Sequence, residues 1–275
     1  MIFHSYKFNC NPSQCEMLIA LLSENNFSGF IEEENSLVAF IPETEKIPRE
    51  LINQIDALGI RFPTPEIIHE KNWNEEWESK ISPIEIEHEV LVRTIFHNSE
   101  KNFPIEIIIQ PKMSFGTGHH ATTHMMIQLM LKYKSNFPSA NVFDFGAGTG
   151  ILSIMAEKLG AKKILAIDNE EWAYENMIEN FEMNKCANCI PQYFNQPPSS
   201  GNEFDIILAN INRNVILEFL SPLQKLLKQE GKMFCSGFLP SDKEMIIEHA
   251  GNNSLSPVTS LEKDNWCAIV FEKKL

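Results

Sequence analysis

The chain has 275 residues, 43% hydrophobic and 22% charged, with a net charge of −14. That suits an ordinary globular protein of one large or two smaller domains. No apolar run reaches the ~18 residues of a membrane span, the start Met1-Ile-Phe-His-Ser-Tyr-Lys7 has no signal-peptide pattern, and the acidity disfavours binding to phosphate backbones.

The front part reads β-α-β-β-α-β. Ile2 to Phe8 is a strand, and Asn11-Pro12 opens a helix to about Asn25. Phe27–Ile31 and Ser36–Ile41 pair as a hairpin across Glu33-Glu34-Asn35. Glu45 to Leu58 is a second helix stopped by Gly59, and Ile60 to Pro63 is a short last strand. This order predicts a ferredoxin-like fold. Pro63-Thr-Pro65 marks a boundary, and a helical connector over Glu66–Lys80 carries Trp73 and Trp77 on one face, placed to clamp two domains or to guard a ligand entrance. Residues 1–80 hold 14 acidic and 6 basic side chains, so −8, and residues 81–275 hold 23 and 17, so −6. An acidic front suits a basic protein partner, or serves solubility alone.

Ile84–Glu87, Val90–Ile95 and Ile105–Gln110 are strands expected to lead into a main sheet. Val142–Phe145 reads as a buried parallel strand, Gly146, Gly148 and Gly150 as a turn, and Ile151–Leu159 as a helix. A strand over Lys163–Ile167 ends in Asp168, 22 positions after Gly146, where a doubly wound sheet presents a carboxylate to ribose hydroxyls. The βα alternation continues with Glu170–Asn184, Phe204–Ile211, Asn214–Lys228, Gly231–Ser236 and Ser241–His249, with a surface loop over Tyr193–Asn202. Strands near Ser254–Ser260 and Asn265–Phe271 are too close for a crossover helix, so they form an antiparallel hairpin.

A dinucleotide fold wants G-x-G-x-x-G; the spacing here is G-x-G-x-G, and Asp144 stands two residues before it. A carboxylate there repels a pyrophosphate and suits the cationic methionine end of S-adenosylmethionine. Upstream, Phe115-Gly116-Thr117-Gly118 is a flexible turn before a helix opened by Ala121-Thr-Thr123, a segment that can fold over a cofactor as a lid. Asn210 ends its strand on the ligand side of the sheet, where its carbonyl oxygen can accept from an amine; a cap for the following helix is the other reading. Six cysteines, at 10, 15, 186, 189, 235 and 267, read as reduced thiols rather than a disulfide frame. Cys186-Ala-Asn-Cys189 has no second pair for zinc and follows a helix rather than opening one, so it reads as structural. His120 and His124 lack the Glu of H-E-x-x-H, and with His119 they read as packing around the lid.

Met113-Ser-Phe-Gly-Thr-Gly-His-His-Ala-Thr-Thr123, Phe143-Asp-Phe-Gly-Ala-Gly-Thr-Gly-Ile-Leu152, Leu208-Ala-Asn-Ile-Asn212, Ser236-Gly-Phe-Leu239 and Trp73-Asn-Glu-Glu-Trp77 resemble the ribosomal protein L11 methyltransferase family, over essentially the whole chain. The resemblance implies an α/β class I methyltransferase, a Rossmann-like sheet with an antiparallel last strand, over 81–275. It implies a ferredoxin-like α+β recognition domain over 1–63 and a helical linker over 64–80. It implies transfer of methyl groups from S-adenosylmethionine to amines of an L11-type ribosomal protein in the cytoplasm, without direct contact to nucleic acid or membrane. Carried over by motif, Thr123, Gly146, Asp168 and Asn210 are cofactor contacts; Phe115, Gly116, Thr117, Asp144 and Gly148 join them from their places in the two motifs, and Asn210 is the group that positions the amine. Asn212 and Arg213 depart from the small or apolar residues usual in that family. Two alternatives stay open: a methyltransferase for another protein, a small molecule or a nucleic acid, and a cofactor-binding module without catalysis.

Overall fold

The computed structural model describes residues 2–69, 82–97, 102–110, 112, 116–194, 196–198 and 203–274. It divides into two compact units, Met1–Trp73 and Asn74–Leu275.

In the first unit, strand β1 (Ile2–Asn9) leads to helix α1 (Pro12–Ser23). The Asn11 carboxamide oxygen accepts from the Gln14 N–H at 2.9 Å, and the Gln14 side chain accepts from the Asn11 N–H at 3.1 Å. This reciprocal cap satisfies two backbone donors and fixes where the helix starts. Strands β2 (Gly29–Glu33) and β3 (Ser36–Pro42) turn around Glu34-Asn35, and β3 pairs antiparallel with β1. Helix α2 (Arg49–Ala57) begins later than Glu45 because Pro48 is extended, at φ −65° and ψ 140°, and has no N–H to give a helix turn. The last strand is not Ile60–Pro63 but β4 (Glu66–His69), antiparallel to β1, in the sheet order β2-β3-β1-β4. Pro63 and Pro65 cannot donate to a ladder, so pairing begins beyond them. Residues 66–69 are therefore strand rather than connector helix; Trp73 and Trp77 lie outside the described residues. Phe8, Leu18, Leu22, Leu37, Ile41, Leu51 and Ile55 form the core of this unit.

Two of the thiols expected to be reduced are paired: Cys10 and Cys15 form a disulfide, with their Cα atoms 5.7 Å apart. Asn11 is the N-cap, so Cys10 precedes the cap and Cys15 is the fourth helical residue. Those two positions meet wherever a helix entry is stapled by side chains. Cys186, Cys189, Cys235 and Cys267 are free.

In the second unit, a seven-stranded sheet has the order β10-β9-β8-β11-β12-β14-β13. Strands β8 (Asn141–Phe145), β9 (Lys163–Asp168), β10 (Cys189–Tyr193), β11 (Phe204–Asn210) and β12 (Leu227–Phe238) run parallel. Strand β14 (Trp266–Lys273) inserts antiparallel between β12 and β13 (Leu255–Lys263), giving the expected closing hairpin. One face buries Val142, Ile164, Leu208 and Phe234 under helices α3 (Ala121–Lys132), α4 (Ile151–Lys158) and α5 (Glu171–Met183). The other buries Phe143, Ile207, Met233 and Ile269 under α6 (Arg213–Leu226) and α7 (Lys243–Gly251). Neighbouring residues of one strand thus serve opposite cores, as the two-residue period requires. Strand β10 was not expected; among the described residues it pairs only with β9, and as an edge strand it tolerates Pro191.

Strands β5 (Ile84–Ile86), β6 (Val90–Arg93) and β7 (Ile105–Ile108) do not enter the main sheet but form their own three-stranded sheet. Side chains on and just after α5 take the place of a neighbouring strand beyond β7. Asn184 accepts from the Ile108 N–H at 2.9 Å and donates to its carbonyl at 2.6 Å. Asn180 accepts from the Gln110 N–H at 2.8 Å and donates to the Thr149 carbonyl at 2.9 Å, and Asn176 donates to the Gln110 carbonyl at 2.9 Å. All three side chains are buried at i, i+4 spacing along one helix face. Asn180→Ala strands the Gln110 donor and the Thr149 acceptor, each worth about 1–3 kcal/mol when buried without a partner. It should lower unfolding stability in urea by at least ~2 kcal/mol, whereas the exposed Glu175→Ala should stay within about 0.5 kcal/mol of the parent. Equal effects of the two changes would remove the ladder as a structural element.

Candidate functional site

The carboxyl ends of β8, β9, β11 and β12 open onto a cavity of about 620 Å³. Its floor is the glycine turn: Gly146 and Gly148 line it, and Gly150, left-handed at φ 76°, is the N-cap of α4. Gly146 sits at φ 73°, and a Cβ there would lie 2.4 Å from the Ile211 Cγ2. Gly237, at the bulge of β12 between Ser236 and Phe238, would put a Cβ 2.1 Å from the Ile211 carbonyl oxygen. The Asn210-Ile211 step is therefore held between two positions that only glycine can fill.

Asp168 ends β9 on the cavity wall, 9% exposed. One oxygen accepts from the Gly148 N–H at 2.8 Å and the other from the Glu170 N–H at 3.1 Å. A carboxylate has about four lone-pair sites, so both oxygens retain capacity for a pair of hydroxyls. Asn210 also lines the cavity. Its amide nitrogen donates to the Thr123 hydroxyl at 3.3 Å, and its buried Oδ1 has no partner among the described residues. Asn210 is not a cap: Asn212 caps α6, accepting from the Val215 N–H at 3.1 Å. Arg213 pairs with Asp242 at 2.9 Å.

Gly116 reaches the cavity, and its carbonyl accepts from the Thr149 hydroxyl at 2.7 Å, which lays the Gly116-Thr-Gly118 segment against the glycine turn. Thr117 is off the cavity wall, and its hydroxyl accepts from the His119 N–H at 3.5 Å. Thr123 is fully buried and touches the site through Asn210. Phe115 lies outside the described residues. Asp144 lies behind the turn rather than on the cavity wall; it is 1% exposed and accepts from the Ser153 hydroxyl at 2.7 Å. Burial, with the Asp168 carboxylate as a further contributor, pushes its pKa up to about 7.

The three histidines do not converge. His119 bonds the Ser82 carbonyl at 3.0 Å, His120 caps α3 with its ring nitrogen, and burial lowers the pKa of His124. Sequence reasoning placed His120 with the lid but assigned no cavity role to Trp172, Phe194 and Trp266, which also line the cavity. His120 packs edge-on against Trp266 with centroids 4.9 Å apart. Trp172 follows Asp168 by four residues, so its proximity was readable from spacing; Trp266 comes from the closing hairpin and only the sheet order brings it in.

A glycine turn under a strand-end acid, on a parallel sheet closed by an inserted antiparallel strand, defines a class I S-adenosylmethionine-dependent methyltransferase. The residues present fit that cofactor: the turn leaves backbone open to it, Asp168 keeps lone pairs for hydroxyls, and Asn210 offers an unpartnered oxygen. The chain belongs to the ribosomal protein L11 methyltransferase family, whose profile, Ribosomal protein L11 methyltransferase (PrmA), matches residues 14–274. It is 36% identical over 266 residues to the ribosomal protein L11 methyltransferase of Porphyromonas gingivalis, covering 93% of this chain and 90% of that protein. It is 33% identical over 279 residues to the one of Bacteroides thetaiotaomicron, covering 97% and 98%. The crystal structure of ribosomal protein L11 methylase from Lactobacillus delbrueckii subsp. bulgaricus matches in fold with a TM-score of 0.63 at 24% identity, covering 71% of this chain and 100% of that one.

Two outcomes follow from the two acids. Asp168→Ala should weaken S-adenosylmethionine binding at least ~10-fold in calorimetry, since a charge-assisted bond contributes about 1.5–3 kcal/mol; unchanged affinity would take Asp168 out of the cofactor site. For Asp144, the folded-state pKa lies above the ordinary carboxylate value. Its contribution to stability is therefore fully present below about pH 4 and is lost as pH rises through about 7. Without cofactor, the Tm of the parent should fall relative to that of Asp144→Asn between pH 5 and pH 8, reflecting a stability loss on the order of a few kcal/mol. A Tm difference independent of pH would mean that Asp144 is ionised throughout.

Proposed function

We propose that this protein transfers methyl groups from S-adenosylmethionine to lysine side-chain and N-terminal amines of an L11-type ribosomal protein. The observation that carries this reading is the Asn210 oxygen, buried on the cavity wall without a partner among the described residues, while the neighbouring Asn212 does the capping. When bound, the cofactor supplies a methyl group on a sulfonium for in-line displacement. Asn210 accepts a hydrogen bond from the incoming amine and aims its lone pair. Thr123 holds the Asn210 amide in place through its hydroxyl. Gly146 and Gly148 present open backbone, and Asp168 holds the ribose hydroxyls. The rings of His120, Trp172, Phe194 and Trp266 keep water from the cavity mouth. A neutral amine is required, and free α-amino and lysine groups have pKa values near ~8 and ~10.4; a dry wall favours their neutral forms.

Met1–Trp73 serves as the recognition unit in this reading, with the main unit performing the chemistry. Its acidic sequence complements a basic ribosomal protein, and neither nucleic acid nor membrane is a direct partner. Among the described residues no helix is long and apolar enough to cross a membrane, and the place of action proposed is the cytoplasm, where ribosomal proteins are made.

Intact mass of a purified L11-type ribosomal protein, incubated with enzyme and cofactor, should rise in methyl steps. With saturating cofactor, Asn210→Ala should keep its fold and cofactor affinity but turn over on the order of 100-fold more slowly, the penalty for a misplacement near 1 Å. Asn210→Asp should also be slow and should recover partly at higher pH, because a carboxylate stabilises the protonated, unreactive amine. No mass change on that substrate would end the substrate assignment. Near-normal turnover of both variants would leave the mechanism without its positioning group.

A further inference from the structure

Cys186 and Cys189 flank the turn between α5 and the edge strand β10, and neither lines the cofactor cavity. Glu157, 29 residues before Cys186 near the end of α4, reaches the same turn. The two sulfurs and a Glu157 carboxylate oxygen all lie within 4.8 Å of one another, the one such group among the described residues. The Cys189 Sγ is 3.2 Å from the Glu157 Oε2. Ligand atoms around a tetrahedral zinc ion, with Zn–S near 2.3 Å and Zn–O near 2.0–2.2 Å, stand about 3.5–3.8 Å apart. The 3.2 Å contact and the 4.8 Å outer limit of this cluster bracket that spacing.

The carboxylate is also held from behind. Its oxygens accept from the Ala187 N–H at 2.8 Å and the Asn188 N–H at 3.0 Å, both between the two cysteines. Such outer contacts orient a metal ligand before the ion arrives. All three side chains are half-buried, so the site is reachable from solvent yet partly shielded.

We propose that Cys186, Cys189 and Glu157 form a site for a thiophilic divalent cation of the Zn²⁺ type, separate from the methyl-transfer cavity. Two thiolates select a soft ion, a carboxylate completes three protein ligands, and a solvent water fills the fourth position. Binding forms two metal–sulfur bonds and one metal–oxygen bond and releases the two thiol protons to solvent, with no change of oxidation state. The ion clips the end of α4 to the start of β10 and so stiffens the edge of the sheet. A second C-x-x-C is not needed, because the third ligand comes from a helix distant in sequence.

The test uses the full chain, stripped with a chelator and kept reduced, with Co²⁺ as the probe. One equivalent should give a sulfur-to-cobalt charge-transfer band and the strong visible bands of a tetrahedral site, and Zn²⁺ should abolish both. Cys186→Ser and Cys189→Ser should each lose the charge-transfer intensity, and Glu157→Gln should weaken binding at least tenfold. Cys10→Ser/Cys15→Ser should leave the bands unchanged, which excludes the other cysteine pair. Zn²⁺ should raise the Tm of the parent and not of Cys189→Ser, affinity should fall as pH is lowered, and S-adenosylmethionine affinity should not change. Absence of the bands at micromolar Co²⁺, bands that survive in Cys186→Ser and Cys189→Ser, or recovery of the reduced pair as a Cys186–Cys189 disulfide that excludes the ion would overturn the proposal.

Discussion

The site depends on how closely three strand ends approach one another. Ile211 lies where the chain leaves β11, with Gly146 after β8 on one side and Gly237 at the end of β12 on the other. A side chain at either glycine would overlap Ile211 outright, and both residues have left-handed φ, 73° and 102°. The Ile211 N–H donates to the Ser236 carbonyl at 3.1 Å, so the segment is tied to β12 as well as crowded by it. In an open α/β sheet a ligand lies beyond the carboxyl ends of the strands. Here that region can be shaped only because two of the three ends carry no side chain. Asn210 inherits its place from this packing.

The acids at the ends of β8 and β9 have the same chemistry and opposite environments. Asp168 accepts two backbone N–H groups and faces the cavity. Asp144 is shut behind the turn with one serine hydroxyl, and burial pushes its pKa up to about 7. Spacing alone made both look like cofactor ligands, since each stands beside the glycine turn in the chain. Depth below the surface separates them. Asp144 joins the strand end to α4 through Ser153, whereas Asp168 presents lone pairs to whatever fills the cavity.

Much of the main unit was legible because its signals are local. Buried strand runs, glycines at fixed offsets and an acid in register required no knowledge of distant contacts. The elements that escaped were set from afar. Strand β10 contains Pro191 and has little strand character by itself; it exists because β9 offers it an edge. Strands β5 to β7 read as part of the main sheet, but the asparagine ladder of α5 meets Ile108 and Gln110 from 66 to 76 residues away. The first unit shows the converse, a local rule applied too weakly. Pro48, Pro63 and Pro65 moved a helix start and a strand by several residues, as missing N–H groups require.

The asparagines at and just after the end of β11 divide their work in a way that chain position could not reveal. Asn210 and Asn212 both border the cavity and both precede a helix. The carboxamide oxygen of Asn212 is taken by the Val215 N–H, and Arg213 is drawn to Asp242. Asn212 and Arg213 thus anchor the entry of α6. Three buried side-chain oxygens lack a partner among the described residues, on Asp144, Asn176 and Asn210, and of these three residues only Asn210 borders the cavity. An unpaired buried acceptor destabilises a fold, and of the three only the Asn210 oxygen has open space beside it for a ligand. With the helix capped by its neighbour, the Asn210 oxygen is available for the amine contact proposed for it.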